Sequence, residues 1–266
     1  MTLRLAISGF GRIGRMTLRA FQEMGHQDME IVLINSPGPV KTSAHIYEFD
    51  SVHGRAVGTV THGEDWMDVG SGKIHMSRER DPANIPHAAH GVDIVLECSG
   101  KFNNREASAA HLAAGAKKVL VSAPCKNADQ TIVFGVNDSL LTADADVVSN
   151  ASCTTNCLAP VAKVLADSVG IEAGYMTTIH AYTGDQPTLD SSHKDLRRAR
   201  AAAMSMIPTS TGATKAVGEV LPQLQGKMSG SAIRVPTANV SVVDLVVTTS
   251  RDTSLEEINQ LLSAAA

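Results

Sequence analysis

The chain has 266 residues, 43% hydrophobic and 19% charged, with a formal net charge of -4 and a mean hydropathy near zero. This is the make-up of a globular protein of about two domains. It offers no bulk attraction to nucleic acid or an acidic membrane. Aromatic residues, at 3%, are too sparse for a base-stacking surface, and no apolar run is long enough to span a bilayer. The N-terminal "TLRLAIS" is too short, and too soon followed by glycine, to be a signal peptide. Four cysteines without a CxxC pair fit a reducing cytoplasm rather than a disulfide scaffold.

In chain order, the first half reads as short strands alternating with helices. Strands are expected at Leu3–Ser8, Glu30–Asn35, Asp93–Glu97, Val119–Ser122 and Thr131–Phe134, and helices at Arg12–Met24 and Arg105–Ala114. Such alternation argues for βαβ units and a parallel sheet. Near residue 150 the texture changes. A helix from Cys153 to about Asp167 precedes longer strands at Tyr175–Ala181, Ser231–Val235 and Ser241–Thr249. The tail "DTSLEEINQLLSAAA" reads as a helix capped by Thr253 or Ser254, with Glu256 and Glu257 in its first turn. The expected organisation is residues 1–151 as one domain and 152–266 as another.

"LAISGFGRIGR" places Gly9, Gly11 and Gly14 in GxGxxG spacing between a strand and a helix. Alone the pattern is weak and could be a tight turn. In this context it marks a dinucleotide loop, where glycines let the backbone approach a pyrophosphate and the helix N-terminus supplies positive potential. The second strand of such a unit should end in a carboxylate for the adenosine ribose. Here the position falls on Asn35 or Ser36. Either a weaker hydrogen bonder holds the ribose, or the missing anion admits the 2′-phosphate of NADP.

"SNASCTTNCLAP" puts Cys153 and Cys157 one helical turn apart. Helical geometry does not favour a disulfide between them, and no His or further Cys lies near in sequence to complete a metal site. Cys153 falls at a helix N-terminus, where free N–H groups and the helix dipole stabilise a thiolate. It is therefore the candidate nucleophile, against the alternative of an inert core thiol. Cys157 reads as a small buried hydrophobe. A helix from Cys153 to Val169 rises roughly 24 Å. A strand returning after Gly170–Gly174 covers that distance in about seven residues, which brings His180 level with Cys153 as a candidate base. The alternative for His180 is a hydrogen-bonded core histidine.

With "GFGRIGR", "YEFDSVHG", "ERDPAN", "AGAKKVLVSAP", "HKDLRRARAAA", "IPTSTGA" and "RVPTANVSVVD" added to the cysteine segment, nearly the whole chain resembles the phosphorylating glyceraldehyde-3-phosphate dehydrogenases. The cysteine segment is the specific part. The resemblance implies an α/β chain: a Rossmann-type dinucleotide-binding domain, then an α+β catalytic domain with a mixed or antiparallel sheet. It implies Cys153 as nucleophile and His180 as base. Arg12 and Ile13 would meet the cofactor pyrophosphate, Arg80 would lie by the adenine and Ser122 near the nicotinamide ribose. Ser152, Thr154, Thr211 and Gly212 would form one anion pocket, and Thr183 and Arg234, with Arg198 close by, the other. Hydroxyls, N–H groups and arginine forks are what phosphate oxygens require. Without the resemblance, "HKDLRRARAAA" would read as a solvated helix and Arg234 as a surface ion pair.

Three departures from the family pattern stand out. Ser36 occupies the place of its usual ribose-binding Asp. Ser191–Ser192 stand where NAD-type members carry Leu-Pro before "HKD", as in chloroplast-type enzymes that accept NADP. Both changes imply dual or NADP-preferring use. The family also continues past residue 266, through a further strand, a stretch with a cofactor-contacting Asn and a long helix packed on the first domain. The expected catalytic domain is therefore incomplete, with an apolar groove left on the first. The expected activity is oxidation and phosphorylation of glyceraldehyde 3-phosphate to 1,3-bisphosphoglycerate, with NAD or NADP and inorganic phosphate, by a cytoplasmic homotetramer without nucleic acid, membrane or metal. The alternatives are an erythrose-4-phosphate dehydrogenase and an inactive cofactor-binding or interaction protein.

Overall fold

The computed structural model of the chain describes residues 2–266. They fall into two compact units. One comprises residues up to Ile132 together with Leu140–Ala151, the other Val133–Ser139 together with Ser152–Ala266.

In the first unit β1 (Leu3–Ser8) leads through the glycine loop into α1 (Arg12–Met24) and β2 (Met29–Asn35). Then come α2 (Val40–Glu48), a two-residue hairpin of β3 (Phe49–Asp50) and β4 (Gly54–Arg55), and strands β5 (Thr61–His62), β6 (Trp66–Asp68) and β7 (Lys73–Ser77). The unit closes with β8 (Ile94–Glu97), α3 (Arg105–Ser108), α4 (Ala110–Ala113), β9 (Lys118–Val121), β10 (Gln130–Thr131) and β11 (Val147–Ser149). Nine strands form one sheet in the order β10-β11-β9-β8-β1-β2-β7-β6-β5. It is parallel from β10 to β7 and antiparallel at the β6 and β5 edge.

The strands are apolar on both faces, as a covered parallel sheet demands. Leu5 and Ile7 of β1 pack with Leu18, Ile31, Ile34 and Met76. Ala6, pointing the other way, packs with Leu33, Val95, Val119, Val121 and Val147. From β1 the chain winds outward to β2 on one side and later to β8 on the other. The direction therefore reverses between β1 and β8, and the carboxyl ends of those strands are where such sheets hold ligands.

In the second unit α5 (Cys153–Ser168) is followed by β12 (Ala173–Ala181), β13 (Ile207–Thr209), α6 (Ala213–Val220), β14 (Met228–Val235), β15 (Val242–Thr248) and α7 (Leu255–Ala265). The four-stranded sheet runs β13-β14-β12-β15. It is mixed: β12 and β14 are parallel, and both outer pairings are antiparallel. Helix α5 packs against α6, α7 and β15. Ser254 caps α7 by accepting from Glu257 N at 3.2 Å, while Thr253 donates to the Glu257 carboxylate at 2.7 Å.

Two expected elements differ. The strand expected at Thr131–Phe134 ends at Thr131, because the Asn137 side chain takes the Val133 N–H at 2.8 Å and the chain turns. The helix expected over Arg105–Ala114 is two short helices parted at Ala109. On either side of the break the buried Ser108 donates to Phe102 O at 2.6 Å and the buried His111 reaches the Glu97 carboxylate. Among the described residues no helix is long and apolar enough to cross a membrane.

Candidate active site

The glycine loop is built by close approach. Gly9 has φ +90, a conformation L side chains rarely adopt, and a Cβ there would lie 2.4 Å from Ser99 Cα. A Cβ on Gly14 would lie 2.2 Å from Gly9 O. Above Gly11 a Cβ would meet nothing within 4 Å. The loop is therefore tightly packed beneath and open at Gly11, the N-cap of α1, which fits a pyrophosphate seated on that helix N-terminus. Ile13 is exposed. The Arg12 guanidinium is engaged with the buried Asp50 carboxylate at 3.2 Å. Val52 N and His53 N also donate to Asp50, both at 2.9 Å. Burial opposes the ionised form of Asp50, but these donors and Arg12 hold its carboxyl well below the usual range.

The residues after β2 divide sharply. Asn35 is buried; Ser77 Oγ and Glu79 N donate to its side-chain oxygen, both at 2.9 Å, and its amide donates to Glu79 O at 3.0 Å. Ser36 is half-buried and its N–H donates to Ser77 O at 2.9 Å. Of the two positions read for the ribose, Asn35 is thus fastened to its own sheet. Arg80 is exposed just beyond β7. Ser122, at the end of β9, donates from both N and Oγ to Glu97 O at 3.0 Å.

In the second unit Ser152 is the N-cap of α5, its hydroxyl accepting from Thr155 N at 3.0 Å. The chain enters this cap through Ala151, whose φ of 56 is left-handed without being glycine. Cys153 is the first helical residue and is exposed. Its Sγ lies 3.3 Å from His180 Nε2, 27 residues on.

His180 Nδ1 faces both Ala181 O at 2.7 Å and Arg234 NH1 at 3.1 Å. A carbonyl only accepts and a guanidinium only donates, so one tautomer cannot satisfy both. The shorter contact assigns the proton to Nδ1, donated to Ala181 O. Arg234 NH1 has its own acceptors in that same carbonyl at 3.0 Å and in Thr183 Oγ1 at 3.4 Å. Nε2 is therefore left as a basic lone pair facing the thiol. Once Nε2 has taken the thiol proton it donates to the thiolate, and that hydrogen bond is the main reason the Cys153 pKa lies below the ordinary value, against the opposing effect of burial. By contrast burial pushes the Cys98 thiol up to about 11 and raises Cys125 as well.

Arg234 stands opposite His180 in the β12–β14 register. Its Nε is buried without a hydrogen-bond partner. Arg198 is close enough to depress the Arg234 pKa, after burial itself. It donates to Asp185 Oδ2 at 2.7 Å, Thr209 Oγ1 at 2.9 Å and Ser210 O at 3.2 Å. Two clustered cations and an unpartnered buried donor fit a bound anion. Thr154 is buried in the first turn of α5. Thr211 and Gly212 lie at the start of α6, with Thr211 Oγ1 accepting from Ala213 N at 3.2 Å.

The structure thus brings Cys153, His180, Thr183, Arg198 and Arg234 into one cluster. Ser191 and Ser192, read as cofactor residues, are exposed in the second unit, whereas Gly9, Gly11, Arg12, Ile13, Gly14, Ser36, Arg80 and Ser122 belong to the first. Sequence reasoning did not single out Asp185, which neutralises Arg198, or Asp50, which holds Arg12. A lone carboxylate in "TGDQP" carries no spacing signal, and Asp50 lies inside a segment that marked only the resemblance.

A glycine-loop α/β unit and a thiol–imidazole unit on one chain define an NAD(P)-dependent dehydrogenase. Residues 3–105 match the NAD-binding domain of glyceraldehyde 3-phosphate dehydrogenase and residues 152–266 its C-terminal domain. All 266 residues align at 64% identity with 79% of a glyceraldehyde-3-phosphate dehydrogenase of Cereibacter sphaeroides. The identity to one from Xanthobacter flavus is 65%, again over the whole chain and 79% of the relative. To that of Geobacillus stearothermophilus it is 53% over 267 aligned positions, with the same coverage. The chain belongs to the glyceraldehyde 3-phosphate dehydrogenase family.

Proposed function

We propose that this chain oxidises glyceraldehyde 3-phosphate to 1,3-bisphosphoglycerate through a thioester on Cys153, with residues 1–151 serving the cofactor and 152–266 the chemistry. The observation that carries this reading is the 3.3 Å approach of Cys153 Sγ to His180 Nε2, with Nδ1 fixed on Ala181 O.

The thiol proton passes to His180 Nε2, and the thiolate adds to the aldehyde carbon to give a hemithioacetal. The imidazolium gives that proton to the developing oxyanion, and Nε2 takes it back from the hemithioacetal hydroxyl as the carbonyl re-forms. When bound, the cofactor's nicotinamide supplies the hydride acceptor. Inorganic phosphate attacks the thioester carbon, the C–S bond breaks and the Cys153 thiolate is regenerated. Arg234, Thr183 and Arg198 hold one phosphate; Ser152, Thr154, Thr211 and Gly212 hold the other.

Ser36, in place of an anion at the ribose, supports acceptance of NADP, as do Ser191 and Ser192. Self-association, with a homotetramer as our reading, is supported by exposed apolar side chains on the second unit. They are Tyr175 with its register partner Val246, and Leu189, Leu196, Met204 and Met206 between β12 and β13. Four free cysteines support a reducing, cytoplasmic setting.

The test is reduction of NAD or NADP by glyceraldehyde 3-phosphate with and without phosphate or arsenate. Anion-dependent turnover is expected. Anion-independent turnover on erythrose 4-phosphate would assign the other dehydrogenase activity, and cofactor binding without turnover a non-catalytic role.

A further inference from the structure

At the point where the first sheet reverses direction, an acid outside the reaction chemistry is buried. Glu97 ends β8 in register with Ser8, the last residue of β1, and is 1% exposed. Its two carboxylate oxygens are divided between two tasks. Oε1 accepts from Ser99 N at 2.7 Å and, in a still shorter contact, from Ser99 Oγ. Oε2 accepts from His111 Nε2 at 3.1 Å. His111 Nδ1 in turn meets His87 Nε2 at 3.0 Å, and both imidazoles are 0% exposed.

Proton positions follow from the ends of this chain. The carboxylate requires a proton on His111 Nε2, so His111 Nδ1 accepts and His87 Nε2 donates. His87 Nδ1 is then a bare lone pair, and it is the ring nitrogen without a partner. A second proton on His87 would have no acceptor, and burial pushes the His87 pKa down to about 4. The array is a buried carboxylate held by His111, itself held by His87, and directed at one turn.

That turn is Ser99–Gly100. Gly100 has φ +70, and Lys101 N closes the turn onto Ser99 Oγ at 3.1 Å. Ser99 Cα, N and Cβ are the atoms a Cβ on Gly9 would strike, at 2.4, 2.5 and 2.8 Å. The dinucleotide loop and the Ser99 turn are therefore packed directly against each other, and the turn limits where the loop can lie. We propose that Glu97 is a positioning residue for cofactor binding, in which an anion oriented by His111 and His87 fixes the Ser99–Gly100 turn as the wall against which the Gly9 loop is set. The proposal rests on the glycine loop as the cofactor site.

The experiment compares wild type with Glu97→Ala, Glu97→Gln and Ser99→Ala. It measures cofactor dissociation by fluorescence titration, cofactor KM against kcat, and the rate at which iodoacetamide alkylates Cys153 without cofactor. In Glu97→Ala, cofactor Kd and KM rise about tenfold, kcat changes less than twofold and the alkylation rate is unchanged. Glu97→Gln, which keeps an acceptor for Ser99 N, recovers most of the loss. Ser99→Ala, at a half-buried surface turn, shows a rise of about threefold and decides the matter if Glu97→Ala does not fold. A folded Glu97→Ala with wild-type cofactor KM overturns the proposal, as does an unchanged KM in Ser99→Ala. A Glu97→Gln no better than Ala also overturns it. If the wild type itself binds no cofactor, the reading of the glycine loop fails instead.

Discussion

His180 and Arg234 are register partners on the parallel strands β12 and β14 and converge on one acceptor, Ala181 O, at 2.7 and 3.0 Å. The base is oriented, and the cation of the proposed phosphate site fixed, by the same carbonyl. Replacing Arg234 should therefore separate the two roles. Arg234→Leu leaves Nδ1–H on Ala181 O, so iodoacetamide alkylation of Cys153 stays within about twofold of wild type. Charge-assisted hydrogen bonds of about 1.5–3 kcal/mol are lost to the substrate phosphate, so kcat/KM for glyceraldehyde 3-phosphate falls about tenfold to a hundredfold. Steady-state kinetics beside unphosphorylated glyceraldehyde checks this, since the unphosphorylated substrate should lose far less.

The thiol's reactivity should depend on its imidazole partner. Because the Cys153 pKa is lowered chiefly by the hydrogen bond to His180, its alkylation rises with pH through a midpoint below that of an ordinary thiol. His180→Ala moves that midpoint upward, so the rate at pH 7 falls while the rate above about pH 10 is little changed. Mass mapping of the alkylated protein places the first adduct on Cys153, with the buried and raised Cys98 and Cys125 unmodified. Cys153→Ser abolishes turnover.

Gly14→Ala tests the packed underside of the cofactor loop. Its methyl would stand 2.2 Å from Gly9 O, a backbone atom that cannot swing aside. Overpacking of this kind costs about 1–3 kcal/mol. A lower denaturation midpoint and a raised cofactor KM are expected together. Gly11→Ala, with open space at its Cβ, should keep the midpoint and affect cofactor binding alone.

Acid should release the Arg12–Asp50 pair. The Asp50 carboxyl is depressed in the folded protein, so it contributes stability above its unfolded pKa of about 3.9. That contribution is lost as pH falls from there toward the folded value. Asp50→Asn therefore destabilises at pH 7, and its gap to wild type narrows as pH falls below about 4, as denaturant melts at pH 7, 3 and 2 will show.

How far these features could be read in advance depended on how local they are. The pairing of Cys153 with His180 was accessible because helix rise and strand rise fix where a returning strand arrives, and the glycine loop because its spacing is itself the backbone requirement. Glu97, Ser99 and His111 were not, since their meeting depends on the order of strands in a sheet rather than on any sequence interval. The strand at Thr131–Phe134 failed for a different reason. An alternating run cannot reveal that Asn137 takes the Val133 N–H. The left-handed Ala151 was equally hidden, because alanine gives no sign of the φ it must adopt.

The proposed acceptance of NADP can be tested at Ser36. If Ser36 admits a 2′-phosphate, Ser36→Asp should raise KM for NADP by tenfold or more through like-charge repulsion and lower KM for NAD. Comparing the two cofactors at equal turnover measures it. Equal effects on both would assign Ser36 a purely structural place.

A single helix–turn–strand segment supplies both the sulfur and the imidazole, 27 residues apart. Closing so short a loop carries little entropic penalty, and both residues belong to the second unit, so the couple is defined without the strand order of the nine-stranded sheet. Exposure and a lowered thiol pKa are the two properties that direct peroxide to a cysteine, so Cys153 is the expected first site of sulfenic acid formation in this chain.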